Sequence, residues 1–216
     1  MPAYILVAIA AYLLGSIPTG YLMAKAKGID IRSVGSGNIG ATNAMRVLGK
    51  PIGIFVLVVD ALKGFGAVLL AGVVARQLNE FLPNVFTDES LANPETKMNL
   101  AVIAGLFAVL GHNYTCWLKF KGGKGIATTA GVYFALAPLS VGIALGVWIL
   151  LFVTTRYVSV ASIAAAAALP IAVWLTQKNL LLGIVTTLLG ALAIYKHKSN
   201  LQRLRAGTEN RINFKK

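Results

Sequence analysis

Three short polar stretches in an otherwise apolar chain hold most of the residues that could do chemistry. The first is Gly35-Ser36-Gly37-Asn38-Ile39-Gly40-Ala41-Thr42-Asn43, with Arg32 before it and Arg46 after it. Its closely spaced glycines let backbone amides approach a ligand. Ser36, Asn38, Thr42 and Asn43 add side-chain donors, and the arginines add forked cations suited to phosphate. It reads as an oxyanion- or phosphate-binding loop, with Gly35, Gly37, Asn38, Gly40 and Asn43 as expected ligands. The plain alternative is a polar turn between two membrane helices, because glycine punctuates turns of every kind. The second stretch is Lys119-Phe120-Lys121-Gly122-Gly123-Lys124-Gly125. It has the physics of a phosphate loop, but no Ser or Thr follows Lys124, which disfavours a nucleotide triphosphatase. Its plain alternative is a basic cap on the end of a membrane span. The third stretch runs from His197 through Asn200 to Arg211. Histidine titrates near neutrality, so His197 beside Asn200 is a candidate general base. It could equally be an interfacial residue or a helix C-terminal cation.

Together these stretches offer Ser36, Arg46, Lys124, His197 and Asn200, enough to bind phosphate and manage one proton. A Ser/His pair across the fold would satisfy the geometry of acyl transfer, and a merely positioning hydroxyl would look the same in sequence. The carboxylates expected on that face are Asp30 and Glu209 alone, so no metal is expected. The single cysteine, Cys116, permits no internal disulfide.

The elements that must position these groups are membrane helices. The chain is 57% hydrophobic and 12% charged, with a mean hydropathy of +0.74, a composition few soluble domains share. Its net charge of +13 is concentrated at the ends of apolar segments, which suits anionic headgroups or phosphorylated substrates rather than nucleic acid. Expected spans are 3–24, 51–75, 98–118, 126–137, 139–155, 158–176 and 179–196. Gly15-Ser16-Ile17-Pro18 should bend or unwind the first of them. Asp60 and Lys63 share a face of the second and can pair there, either structurally or as a functional site. His112, near the end of the third, is equally readable as structural or functional. A continuous last helix would bring His197, Asn200 and Leu204 onto one face, with Gly207 ending it. The small residues at 161–168 suit close helix packing.

Seven crossings, some short or broken, leave 16 of the 20 Lys and Arg on one side. By the positive-inside rule that side is cytoplasmic, with the N-terminus outside, the C-terminus inside and all three polar stretches facing the cytoplasm. Five full spans plus a re-entrant pair would give the same sidedness. The acids of 76–97 (Glu80, Asp88, Glu89 and Glu95) then lie outside. The fold class is an all-α integral membrane protein forming a single multi-pass domain.

At this point the chain resembles a known family, the bacterial acyl-phosphate:glycerol-3-phosphate acyltransferases (PlsY). The likeness rests on residues 35–43 with Arg46, on Gly111-His112 followed by Phe120 to Thr128, and on His197-x-x-Asn200-x-x-Arg203-Leu204-x-x-Gly207-Thr208-Glu209. Gly15-Ser16-Ile17-Pro18 and Asp60-x-x-Lys63-Gly64 resemble further family features. One departure is Thr115-Cys116, where a proline is expected, and it leaves the end of the third span open.

The resemblance implies transfer of an acyl chain from acyl phosphate to the 1-hydroxyl of glycerol 3-phosphate. The products are 1-acyl-glycerol 3-phosphate (lysophosphatidic acid) and inorganic phosphate, at the first step of phospholipid synthesis in the bacterial inner membrane. By that likeness Ser36 and Arg46 are essential, and Gly122, Gly123, Lys124 and Gly125 bind the glycerol 3-phosphate. His197 and Asn200 serve activity, while Glu209 is structural. No cofactor is implied, because acyl phosphate is already activated. A soluble enzyme that makes acyl phosphate is a candidate partner beside the membrane lipids. Direct attack without an acyl-enzyme is expected, with His197 or a substrate phosphate as base. A transporter for a phosphorylated solute is the rival class, since broken helices and an intramembrane ion pair would suit it. A polybasic scaffold would explain the tail but not the glycine loops.

Overall fold

A computed structural model describes residues 2–81 and 93–212, which fold into helices and connecting turns. Asp88, Glu89, Lys215 and Lys216 lie outside the described residues, as does the side chain of Glu80. The chain divides into two compact units, Met1–Leu136 and Ala137–Lys216.

The first unit begins with an interrupted helix. Within the single candidate span Tyr4–Lys25, α1 (Pro2–Ser16) and α2 (Thr19–Lys25) are separated at Ile17-Pro18. Proline cannot donate a backbone hydrogen bond and disfavours helix at the residue before it. The groups exposed by the break are taken up by neighbouring side chains. Thr115 Oγ1 donates to Ser16 O at 2.6 Å, and Lys63 Nζ donates to Ile17 O at 2.9 Å. Thr19 Oγ1 donates to Asp60 Oδ1 at 3.3 Å. After the short α3 (Ala41–Leu48) comes α4 (Lys50–Phe81), whose Asp60 and Lys63 pair at 2.8 Å with 4% of either side chain exposed. The helix break and the buried ion pair are therefore one assembly. Thr115, the departure from the expected proline, is fully buried and closes that assembly from just ahead of the 3-10 turn Cys116–Leu118.

Helix α5 (Pro94–Asn113) starts with Pro94 in its first turn and Asn93 as its cap, Oδ1 accepting from Glu95 N at 2.8 Å. A 3-10 turn (Cys116–Leu118) and the glycine loop lead into α6 (Ile126–Leu136). The helices meet through glycines and alanines, the expected way to bring backbones together in lipid. A Cβ at Gly15 would collide with Ala108 O, one at Gly111 with Tyr12 O, and one at Gly131 with Ala61 O. Val7, Ala11, Ala67, Ala71, Ala75, Leu100, Ala104 and Ala108 fill the core between α1, α4 and α5.

The second unit contains α7 (Pro138–Thr155), α8 (Val158–Thr176), α9 (Leu180–Lys196) and α10 (Lys198–Arg205). Ser140 and Thr176 share a hydrogen bond at 2.6 Å, and Trp148 Nε1 donates to Ser162 Oγ at 3.2 Å, tying α7 to α8. Ala161 and Ala166, within the small-residue run, are buried. The condition of a continuous last helix is not met: the axis bends by 49° between α9 and α10. Gly207, at φ +69°, follows the end of α10, with Thr208 N donating back to Arg203 O at 2.9 Å. The chain then returns to its own unit. Ser159 Oγ, Asn200 Nδ2 and Arg203 Nε donate to the Glu209 carboxylate at 2.9, 2.7 and 2.7 Å. Beyond it, Ile212 N donates to Arg156 O at 2.9 Å.

Among the described residues, five helical segments could cross a membrane by length and composition, or six if the bent α9–α10 pair is one span. Helix α6 is apolar but spans about 16 Å at ~1.5 Å per residue, against a hydrocarbon core of about 30 Å. The expected seventh crossing therefore rests on this short helix.

The glycine contacts give a paired prediction. Gly131→Ala pushes a methyl into the α4 backbone and should cost about 1–3 kcal/mol. Gly142→Ala, where a Cβ meets nothing within 4 Å, should be neutral or slightly stabilising. Thermal midpoints in detergent report both, and equal midpoints would show that α6 does not need its close approach to Ala61. Glu209 gives a second. Burial would raise its pKa, but the hydrogen bonds from Asn200, Arg203 and Ser159 outweigh that and hold it below the ordinary 4.5. Its stabilisation is thus complete above the unfolded-state value and is lost as pH falls through the lower folded one. Melting curves taken downward from about pH 6 should show falling stability, and Glu209→Gln should flatten that slope. An unchanged slope in the variant would exclude Glu209 as its source.

Candidate active site

The first polar stretch is a loop built around one side chain. Asn43, in the first turn of α3, is 1% exposed. Its Nδ2 donates to Ile31 O, Val34 O and Asn38 O at 3.2, 3.1 and 2.9 Å, while its Oδ1 accepts from Ser36 N at 2.8 Å. Expected as a phosphate ligand, Asn43 instead supplies the hydrogen bonds that a turning backbone cannot make for itself. Gly35 lies beside it at φ +63°, and a Cβ there would collide with Asn43 Oδ1. Asn38 also works within the loop, its Oδ1 accepting from Gly40 N at 2.9 Å, and Gly37 N donates to Val34 O at 3.1 Å.

These contacts leave Ser36 half-buried, with its backbone pinned to α3. Arg46 is exposed three residues beyond Asn43, hence on the same face of α3. Arg32 is engaged elsewhere. Its Nε and Nη2 grip Asp30 at 2.9 and 2.7 Å, and those hydrogen bonds bring the Asp30 carboxyl down to about 2. The pair is solvent-exposed and therefore weak.

The second stretch is pinned to the end of α5. Gly122 N donates to Asn113 O at 3.2 Å and Gly123 N to His112 O at 3.0 Å. Two amides expected to cradle phosphate therefore fix the loop. Gly125, at φ +84°, turns the chain into α6, with Thr129 N donating to Gly125 O at 2.7 Å. The amides of 126–128, in the first turn of α6, have no acceptor within that helix. Lys124 is half-buried in the loop. Thr128 Oγ1, in the same first turn, is buried and without a hydrogen-bond partner among the described residues. Lys119 and Phe120 both hold positive φ, +53° and +60°, an uncommon conformation away from glycine.

In the second unit the bend falls at His197. Its Nδ1 lies 2.7 Å from Ala193 O, while its backbone N donates to Ile194 O at 3.0 Å. The side chain takes the carbonyl that the next α-helical amide bond would have used, so the helix axis turns there. A carbonyl only accepts, so the proton sits on Nδ1 and neutral His197 presents Nε2 as its basic nitrogen. Asn200, one turn on and 6% exposed, is oriented by its bond to Glu209.

The first and second stretches share an apolar floor. Leu118, just ahead of the glycine loop, packs in one cluster with Ile31, Ile39, Ala44, Ala24 and Val56. His197, Asn200 and Glu209 are organised by residues of the second unit. Among the described residues no group of three or more His, Cys, Asp or Glu lies together as a metal site would require. Sequence reasoning passed over Asn113, Thr128 and Ser159. The first two follow motif residues at a helix end and a helix start, a positional signal that could have found them. Ser159 carries no local signal, because its partner is fifty residues away.

Residues 5–207 match the glycerol-3-phosphate acyltransferase family. The chain is 48% identical over 210 residues to a glycerol-3-phosphate acyltransferase from Geotalea daltonii, covering 97% of this chain and 98% of that one. It is also 48% identical over 202 residues to one from Geobacter sulfurreducens, covering 94% of either chain. Among solved structures it resembles PlsY, an integral membrane glycerol 3-phosphate acyltransferase, in its glycerol 3-phosphate form. The TM-score is 0.83 at 38% identity, covering 97% of this chain and 96% of that one. The crystal structure of the lysophosphatidic acid form of PlsY matches with a TM-score of 0.79 at 37% identity, covering 97% and 95%. A helical chain with five or six segments able to cross a membrane, polar loops pinned to helix ends and likeness over nearly its whole length belongs to the glycerol-3-phosphate acyltransferase family of integral membrane proteins.

Proposed function

We propose that this protein transfers an acyl chain from acyl phosphate to the 1-hydroxyl of glycerol 3-phosphate, releasing lysophosphatidate and inorganic phosphate. The observation that carries this reading is the end-to-end likeness to PlsY in its glycerol 3-phosphate form, 38% identical over 97% of the chain. The donor is assigned on chemical grounds. Acyl phosphate carries its own good leaving group, so neither nucleotide nor metal is needed. Two phosphate-bearing substrates account for two anion loops, and a greasy donor accounts for catalysis at a bilayer.

The hydroxyl of glycerol 3-phosphate attacks the acyl carbonyl, and the C–O bond to phosphate breaks as the tetrahedral intermediate collapses. Ser36 and Arg46 bind the leaving phosphate and polarise the carbonyl. Lys124 and the first amides of α6 hold glycerol 3-phosphate. His197 takes the hydroxyl proton on Nε2, the nitrogen left basic by the bond to Ala193 O. Asn200 orients the acceptor or His197, and Glu209 holds Asn200 in place. The basic loops and the tail face the cytoplasm, with seven crossings and the N-terminus outside.

Purified protein, palmitoyl phosphate and glycerol 3-phosphate, without metal or nucleotide, should yield lysophosphatidate and phosphate in equal amounts. Ser36→Ala should abolish the reaction, and His197→Ala should slow it by roughly 10²–10⁴-fold. Product with acyl-CoA but not with acyl phosphate would overturn the donor. A trapped Ser36 ester would overturn direct attack. Transport of a phosphorylated solute with no chemical product would overturn the enzyme reading.

A further inference from the structure

The buried cluster of α4 reaches further than the helix break it stabilises. Asp60 Oδ1, already receiving Lys63 and Thr19, also lies 3.7 Å from His112 Nδ1. His112 is 5% exposed, and its ring continues toward the glycine loop. A Cβ built on Gly123 would collide with Nε2, and would lie 2.8 and 3.0 Å from the adjoining ring carbons. The backbone carbonyl of the same histidine accepts from Gly123 N at 3.0 Å. His112 therefore holds Gly123 twice, with its ring edge against the α-carbon and its carbonyl on the amide, while one end of the ring faces a buried carboxylate.

We propose that Asp60 and His112 form a positioning unit for the Gly122-Gly123-Lys124 loop, and that through this unit His112 sets the affinity for glycerol 3-phosphate. The proposal rests on the reading above, in which that loop holds glycerol 3-phosphate. Neither side chain need touch the substrate. Asp60 faces one ring nitrogen, which restricts how the imidazole can turn. The opposite ring edge then fixes how deeply Gly123 can sit, and Lys124 follows directly in the chain. Glycine is needed at 123 because the histidine occupies the space of a side chain. This role differs from simple packing in a testable way: it belongs to one substrate, and it makes residues 112 and 123 interdependent.

The test is a double-mutant cycle with two readouts, steady-state kinetics and direct binding of glycerol 3-phosphate to purified protein. His112→Ala should raise KM and Kd for glycerol 3-phosphate roughly 10- to 100-fold and leave KM for acyl phosphate within about twofold. His112→Gln, which keeps a polar group facing Asp60, should recover part of that loss. Gly123→Ala alone should weaken glycerol 3-phosphate binding by clashing with the ring. Added to His112→Ala, which removes the ring, it should cost little more. If His112→Ala does not purify folded, His112→Gln carries the test through the same substrate selectivity at smaller amplitude. Unchanged affinity for glycerol 3-phosphate, an equal rise in both KM values, or fully multiplicative effects of the two substitutions would each overturn the positioning role. Wild-type protein that binds no glycerol 3-phosphate would overturn the underlying reading. Wild-type protein that binds it while the His112 variants bind equally well would overturn this inference alone.

Discussion

A helix interrupted in an apolar environment must have its released backbone groups taken up from within the protein. Much of the first unit answers to that requirement. The break at Ile17-Pro18 is met by Lys63 on Ile17 O and by Thr115 on Ser16 O. Lys63 could not stay buried as a lone cation, since desolvating a charge costs several kcal/mol. Asp60, one turn earlier on α4, answers that need at 2.8 Å. The carboxylate then has capacity for another donor, which Thr19 supplies, and His112 Nδ1 faces it at 3.7 Å. One proline thus leads by successive electrostatic necessity to two threonines, a lysine, an aspartate and a histidine on α2, α4, α5 and the turn after α5.

The polar loops obey the same rule at smaller scale. Turns near a membrane face have backbone groups without helical partners, and here the loops satisfy many of them internally. Asn43 spends its whole amide on the first loop. His112 O and Asn113 O take two amides of the second. On the function proposed above, the groups that would meet a substrate are carried on this frame: the Ser36 side chain, the cations of Arg46 and Lys124, and the first amides of α6. Preorganised groups of this kind serve a charged transition state better than flexible ones, because they need not reorganise as charge develops. His197 follows the same logic. The bond from Nδ1 to Ala193 O bends the helix and fixes the tautomer together.

Much of this was legible in the sequence, and the boundary is physical. The all-helical membrane class could be read because lipid imposes length and composition on its helices. The weak point of the first span could be read because proline acts locally. The Asp60–Lys63 pairing followed from a spacing of three. Contacts made across the fold could not be read. Asn43 looked like a ligand because sequence shows that an amide is present, not which way it faces. The bend at His197 has no glycine or proline to mark it, because its cause is a side chain reaching its own helix. The contacts of Ser159 and Thr115 were illegible because their partners are distant in sequence.

The glycines deserve a more careful reading than motif logic gives them. A glycine-rich stretch suggests a backbone opened for a ligand, yet the glycines here answer to different demands. Gly35 has a backbone conformation that side chains resist, and it also makes room for Asn43. Gly122 and Gly123 give up their side chains to the end of α5, and Gly123 specifically to the His112 ring. Gly125 combines a positive φ with a site where a Cβ would lie only 2.7 Å from Asn113 Oδ1. At each of these positions a methyl group would meet protein before it met any substrate. Loss of binding on substituting such a glycine therefore does not by itself place the ligand against that residue. It shows first that the loop has moved, and the neighbour that moved it is the residue whose own removal restores the space.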